Sequence, residues 1–190
     1  MTNFIRRQFL ALTIAVLSIF ATPLMAQTPH QGPIILTVSG AIENHNRGAS
    51  DPDFDKFFTY NDVEFTAAAQ FDFAGLSALD VVDISADFPM GGSVHSFSGP
   101  TLWSVLNAAG VDMDSNPLII MRALDGYAIE VPLDELVDAG AVIAHSRDGN
   151  MFALGDYGPT QIVFPRAERE DLADMNDDRW IWSIFHIHVE

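Results

Sequence analysis

FSGPTLWSVLNAAGV, residues 97–111, carries a helix together with its punctuation. Ser98-Gly99-Pro100 predicts the start, because proline suits the first helical turn, where its missing N–H is no loss and its φ is already set. Gly110 predicts the stop. Between them Leu102, Val105, Leu106 and Ala109 recur at i, i+3, i+4 and i+7. That spacing makes an apolar stripe about 100° wide, which must face a core. The helix therefore belongs to a packed domain.

Working outward toward the N-terminus, residues 34–38 (IILTV), closed by Ser39-Gly40, read as a first strand. Residues 44–55, with Gly48 and Pro52 among polar and charged neighbours, read as an exposed excursion, and residues 63–66 as a short strand. Residues 71–79 are open to two readings, a strand from the alternation of Phe71 and Phe73 or a helical turn after them. Residues 81–86 return to strand and break at Pro89-Met90-Gly91-Gly92.

Toward the C-terminus, residues 118–124 read as a strand, and Asp125-Gly126 is a two-residue hairpin signal leading into residues 127–131. Pro132 opens a short helix with Leu133, Leu136 and Val137 on one face, and Gly140 ends it. A second hairpin runs from 141 to 146, turns at Asp148-Gly149 and returns through 151–154. Residues 161–164 are a further strand, and residues 166–178 read as a charged, exposed segment. Residues 180–189 alternate, with Trp180, Trp182, Ile184, His186 and His188 on one side and an aliphatic-rich set on the other. The expected fold class is α+β, mixed or antiparallel β-sheets with a few short peripheral helices.

The first residues read as an address rather than as fold. Arg6 and Arg7 precede an apolar run from Phe9 to Phe20, and Leu24-Met25-Ala26 offers a cut before Gln27. This predicts a signal peptide at residues 1–26, export to the periplasm or secretion, and a single domain over 27–190. The stretch from Arg6 to Leu10 also resembles the twin-arginine export signal, which leaves the export route open. Without those two arginines the balance is seven basic against 26 acidic residues, a formal −19. A field of that sign repels nucleic acid and anionic lipid, so no nucleic-acid partner and no membrane insertion of the mature chain are expected. The chain has no cysteine, which excludes disulfides, zinc–thiolate sites, iron–sulfur clusters and a thiol nucleophile.

Five stretches taken together carry a resemblance. FSGPTLWSVLNAAGV, ALDGYAIEVPLDEL (123–136), VIAHSRDGNMF (142–152), YGPTQIVFP (157–165) and RWIWSIFHIHVE (179–190) resemble, in order and spacing, the molybdopterin-binding domain of the sulfite oxidase family. They look most like its small exported single-domain members. The resemblance implies mixed sheets with peripheral helices and, in catalytic members, a pterin-held molybdenum used for oxygen-atom transfer. It also implies a metal-fixing cysteine in the stretch before the opening helix. Here that stretch is DVVDISADFPMGGSVHSFSG, residues 80–99, and neither Ser85 nor Asp87 has the softness of a thiolate. The cofactor-binding candidates carried over are Asp87, Arg122, Tyr127 and Arg147. Molybdopterin thus rests on the resemblance alone, with no cofactor as the other reading.

Two functions stand side by side. One is a module binding a small ligand or an exported or membrane partner protein; the other is a periplasmic molybdopterin-dependent oxidoreductase that holds its cofactor without a thiolate.

From the residues themselves, His186 and His188 on one strand face lie about 6–7 Å apart by strand rise, a workable metal-ligand spacing. They need a third ligand from His95, His145 or a carboxylate; otherwise they are terminal-strand residues. Tyr127 either lines a pocket or packs its hairpin, and Trp180 with Trp182 read as core or sheet cover rather than a stacking platform. Asp134 and Glu135 complement a helix N-terminus. No G-x-S-x-G elbow and no glycine-rich phosphate loop occurs. Arg122 and Arg147 either converge as a positive throat or pair with neighbouring acids. The overall charge predicts a neutral or cationic ligand and argues against sulfite as a substrate.

Overall fold

Leu102, Val105, Leu106 and Ala109 are completely buried, as the spacing requires. They belong to a computed structural model that describes residues 30–190; the expected signal peptide lies outside the described residues. The strands and helices follow in the order β1 (Ile34–Gly40), α1 (Lys56–Tyr60), β2 (Ala68–Asp72), α2 (Phe73–Ser77), β3 (Val81–Ala86), β4 (His95–Pro100), α3 (Leu102–Ala108), β5 (Leu118–Ala123), β6 (Ala128–Pro132), α4 (Leu133–Asp138), β7 (Val142–Ala144), β8 (Ser146–Arg147), β9 (Asn150–Met151), β10 (Gln161–Val163) and β11 (Ile184–Val189). They form a five-stranded sheet in the order β2-β1-β11-β5-β6, a four-stranded sheet β3-β4-β8-β9 and a pair β10-β7. Among the paired strands of the described residues, β1 and β11 run parallel and the others antiparallel. This is the α+β class with mixed and antiparallel sheets that the sequence predicts.

The opening helix starts later than expected. Pro100 ends β4, and the cap is Thr101, whose hydroxyl accepts from Ser104 N at 3.1 Å. That bond satisfies an amide the helix cannot, so the boundary falls one residue beyond the proline. At the other end Gly110 takes φ +76°. Its N–H reaches Asn107 O, and the next N–H, of Val111, reaches Leu106 O. This paired closure lets the chain leave the helix with its last carbonyls satisfied. Gly99 has a different reason to be glycine: a Cβ there would lie 2.1 Å from Ile143 O, because β4 crosses β7 at backbone contact.

The ambiguous stretch 71–79 is both things expected of it, the end of β2 followed by α2. Asp72 makes the switch, its carboxylate capping α2 through Gly75 N at 2.7 Å. Residues 63–66 are not a strand. Val63 and Phe65 are instead turned into a small second core with Ala68 and Phe185, held by bonds between residues 50 and 65. The Asp148-Gly149 turn forms with both residues at positive φ. The hairpin around it is split, however: β8 pairs β9, whereas β7 pairs β10.

The last strand begins at Ile184, four residues later than the alternation predicts. Ser183, at φ +54°, is tied by its hydroxyl to Gly158 O at 2.6 Å, which turns the chain before it can pair. Trp180 is buried and Trp182 is 39% exposed, so the two do not share one environment. A bulge between Ile184 and His186 then sends Ile184 and Ile187 into the main core, while Phe185 and His186 both meet Phe58 on the outer face.

Candidate functional site

The stretch in which the resemblance implies a metal thiolate folds as the β3–β4 hairpin, with Asp87 just past β3. Asp87 Oδ1 accepts from Arg166 Nε at 2.6 Å, and Oδ2 accepts from Gly91 N at 2.9 Å. Arg166 also donates to Asp87 O, Met175 O and Asp177 Oδ1 at 2.6–2.8 Å. Its guanidinium lies 4.4 Å from the Trp180 ring, which in turn stacks on Phe88 at 5.4 Å. Burial pushes the Asp87 carboxyl upward, but the hydrogen bonds from Arg166 and Gly91 outweigh it and hold it below the ordinary carboxylate range.

Arg166 corrects the expected exposed segment at 166–178, since it is 5% exposed. Its charge is tolerated because two carboxylates, two carbonyls and an aromatic plane surround it. One sequence signal was available, namely an arginine placed directly after the apolar run 162–165. Its carboxylate partners lie 79 and 11 residues away, beyond any local pattern.

These residues do not fit a pterin-held metal. The chain has no cysteine, and Asp87, a carboxylate of the stretch where one is implied, is committed to Arg166. The Ser85 amide is engaged by Glu168 Oε1. The hydrogen bonds to the Asp87 carboxylate come from Arg166 and Gly91, not from the remaining candidates. Arg147 lies over the Tyr157 ring at 5.4 Å, in a cleft of about 470 Å³ that Asp156 and Trp182 also line. Arg122 is not part of that cleft and sits on β5 opposite His186. Tyr127 is half-exposed on the β5–β6 turn, where its hydroxyl donates to Asp178 O at 3.1 Å. Neither Arg122 nor Arg147 forms an ion pair among the described residues.

His186 and His188 do share a face, with ring centroids 6.2 Å apart. What joins them is Ser39 of β1, whose Oγ lies 2.8 Å from His186 Nε2 and 3.2 Å from His188 Nδ1. Parallel pairing of β1 with β11 sets Ser39 directly opposite His188. Burial, with Arg122 and His188 adding to it, pushes His186 down to about 3, and burial with Arg122 also lowers His188. Both rings are therefore neutral at ordinary pH. The proposed third ligands are elsewhere: His95 is bound to Asp148 Oδ2 at 2.6 Å, and His145 lies edge-on to Phe73 at 4.8 Å. Among the described residues no group of three or more His, Cys, Asp or Glu side chains is placed to hold a metal ion.

No family model and no curated protein matches the chain. Among solved structures, it is similar to the sulfane dehydrogenase SoxCD from Paracoccus pantotrophus, with a TM-score of 0.53 and 13% identity. The likeness is one of fold. It covers 81% of this chain and 37% of that one, so the chain spans little more than a third of that neighbour's length. It supports the α+β fold of this protein.

Proposed function

We propose that this protein is a binding module built on a molybdopterin-oxidoreductase-like fold, one that takes a small ligand or an exported or membrane partner protein and does not use a pterin-held molybdenum. The observation that carries this is the Asp87–Arg166 pair. The stretch in which a soft metal ligand is implied, residues 80–99, has no cysteine, and its Asp87, a hard carboxylate, is locked by a buried arginine. Arg147 and Arg122, which a phosphate-bearing cofactor would draw together, occupy different sheets. The N-terminal pattern of Arg6, Arg7 and the following apolar run supports export to the periplasm or outside the cell.

Metal analysis and pterin extraction on the protein purified from its own compartment test this reading. The expected result is no stoichiometric molybdenum, tungsten or pterin. A stoichiometric amount of any of them overturns it in favour of an oxidoreductase that holds its cofactor without a thiolate, the reading to which the likeness to a dehydrogenase lends support.

A further inference from the structure

The face of the five-stranded sheet turned away from the main core carries Thr37, Ser39, Gln70, Arg122 and the two histidines, and is overlaid by residues 44–66. Between this cover and the sheet runs a groove of about 560 Å³, within the size range of small-molecule sites. Phe57, Phe58, Leu124 and Phe185 wall it, and Leu154 stands at its rim. The bulge in β11 creates the wall, since it adds Phe185 to the outer face, where Phe57 meets it edge-on at 4.6 Å. Phe57 is 44% and Leu154 75% exposed, so apolar surface at the mouth stays in water. An occupant would remove that area at a gain of about 25 cal/mol per Å².

The polar groups are few. Gln70 Nε2 donates to Thr37 Oγ1 at 3.3 Å, and its carboxamide lines the groove. Arg47 is the one charged residue on the lining, and it is already spent. Its guanidinium pairs with Asp55 and lies over the Phe58 and Phe65 rings at 5.7 and 5.2 Å. An ionic ligand would enter an apolar slot with no free counter-charge. A flat aromatic body would instead meet ring edges and faces, and the carboxamide would offer it one donor and one acceptor.

Resting on the binding-module reading, we propose that this groove is the ligand site and that it takes an uncharged aromatic molecule bearing one hydrogen-bonding group. The probe is N-phenylnaphthylamine, an uncharged aromatic amine, titrated into the full chain and followed by fluorescence. Saturable one-site binding is expected. Anilinonaphthalene sulfonate, the same ring system with a fixed negative charge, should bind at least about tenfold more weakly. Leu154→Glu puts a carboxylate at the exposed rim without touching the core, and should weaken the uncharged probe about tenfold. Trp103→Glu, on the exposed side of α3, should leave it unchanged.

Absence of saturable binding, equal affinity for the sulfonate or indifference to Leu154→Glu overturns the assignment. So does self-association that rises with protein concentration and vanishes in Leu154→Glu, which would make a second copy the occupant. Stoichiometric molybdenum in the same preparation would overturn the binding-module reading while leaving the probe affinities as they are, so the two failures are distinguishable.

Discussion

Arg166 Nε stands 2.6 Å from Asp87 Oδ1 across 79 residues of chain, and this contact fastens the β3–β4 hairpin to the segment after β10. The guanidinium makes four hydrogen bonds and covers Trp180. Removing it leaves Asp87 and Asp177 without their counter-charge, with Gly91 N and Met90 N as their remaining donors, and takes a donor from two carbonyls.

Arg166→Ala should therefore lower the unfolding free energy by about 3 kcal/mol, the lower end of the range for breaking a buried pair, because Asp87 and Asp177 keep some contact with water. Arg166→Lys should rescue little, since an ammonium lacks the planar fork and the stacking. Urea titration with unchanged slope is the measurement, and full stability in Arg166→Lys would show that only charge matters there.

Stability should fall on mild acidification. His145, His186 and His188 are all pushed below the ordinary histidine value, with burial the largest cause in each. A proton that binds the unfolded chain near pH 6.5 but not the folded one favours unfolding. The contribution is complete above pH 6.5 and is lost as pH falls toward the folded value, about 3 for His186. The slope is about 1.4 kcal/mol per pH unit for each group that protonates only on unfolding. Melting temperatures between pH 7 and 4 should fall steadily, and His186→Gln should flatten that fall; parallel curves for the two proteins would contradict the assignment.

Gly99→Ala should be among the most damaging single substitutions in the chain. Its new methyl would meet Ile143 O at 2.1 Å and Ala144 Cα at 2.7 Å, both backbone atoms that no rotamer change can move. A loss of at least about 3 kcal/mol is expected. Thermal denaturation of Gly99→Ala beside Gly48→Ala, where nothing lies within 4 Å of the added carbon and φ is not left-handed, separates the clash from the general effect of replacing a glycine.

Sulfite with an artificial electron acceptor should give no turnover above background. The formal charge of −17 for the full chain slows the approach of an anion, and Arg122 and Arg147 do not share a cleft that could offset it. Saturable turnover that disappears in Arg122→Ala would reverse this expectation.

What the sequence determined by itself is local and periodic. The stripe of α3, its glycine exit, the Asp125-Gly126 and Asp148-Gly149 turns and several of the strands follow from spacing and from residues with restricted φ, which act within a few positions of themselves. The shared face of His186 and His188 was legible for the same reason, because a strand repeats every two residues.

The tertiary structure decided everything that depends on partners far along the chain. Ser39 reaches the histidines only because β1 lies parallel to β11, and 147 residues separate Ser39 from His186. The bulge that brings Phe185 to the outer face is a matter of register between two strands, which neither strand encodes alone. Arg166 looked exposed because charge normally stays in water. It is buried because Asp87, Asp177 and Trp180 converge on it, and convergence of that kind is a property of the packed core, not of any stretch of sequence.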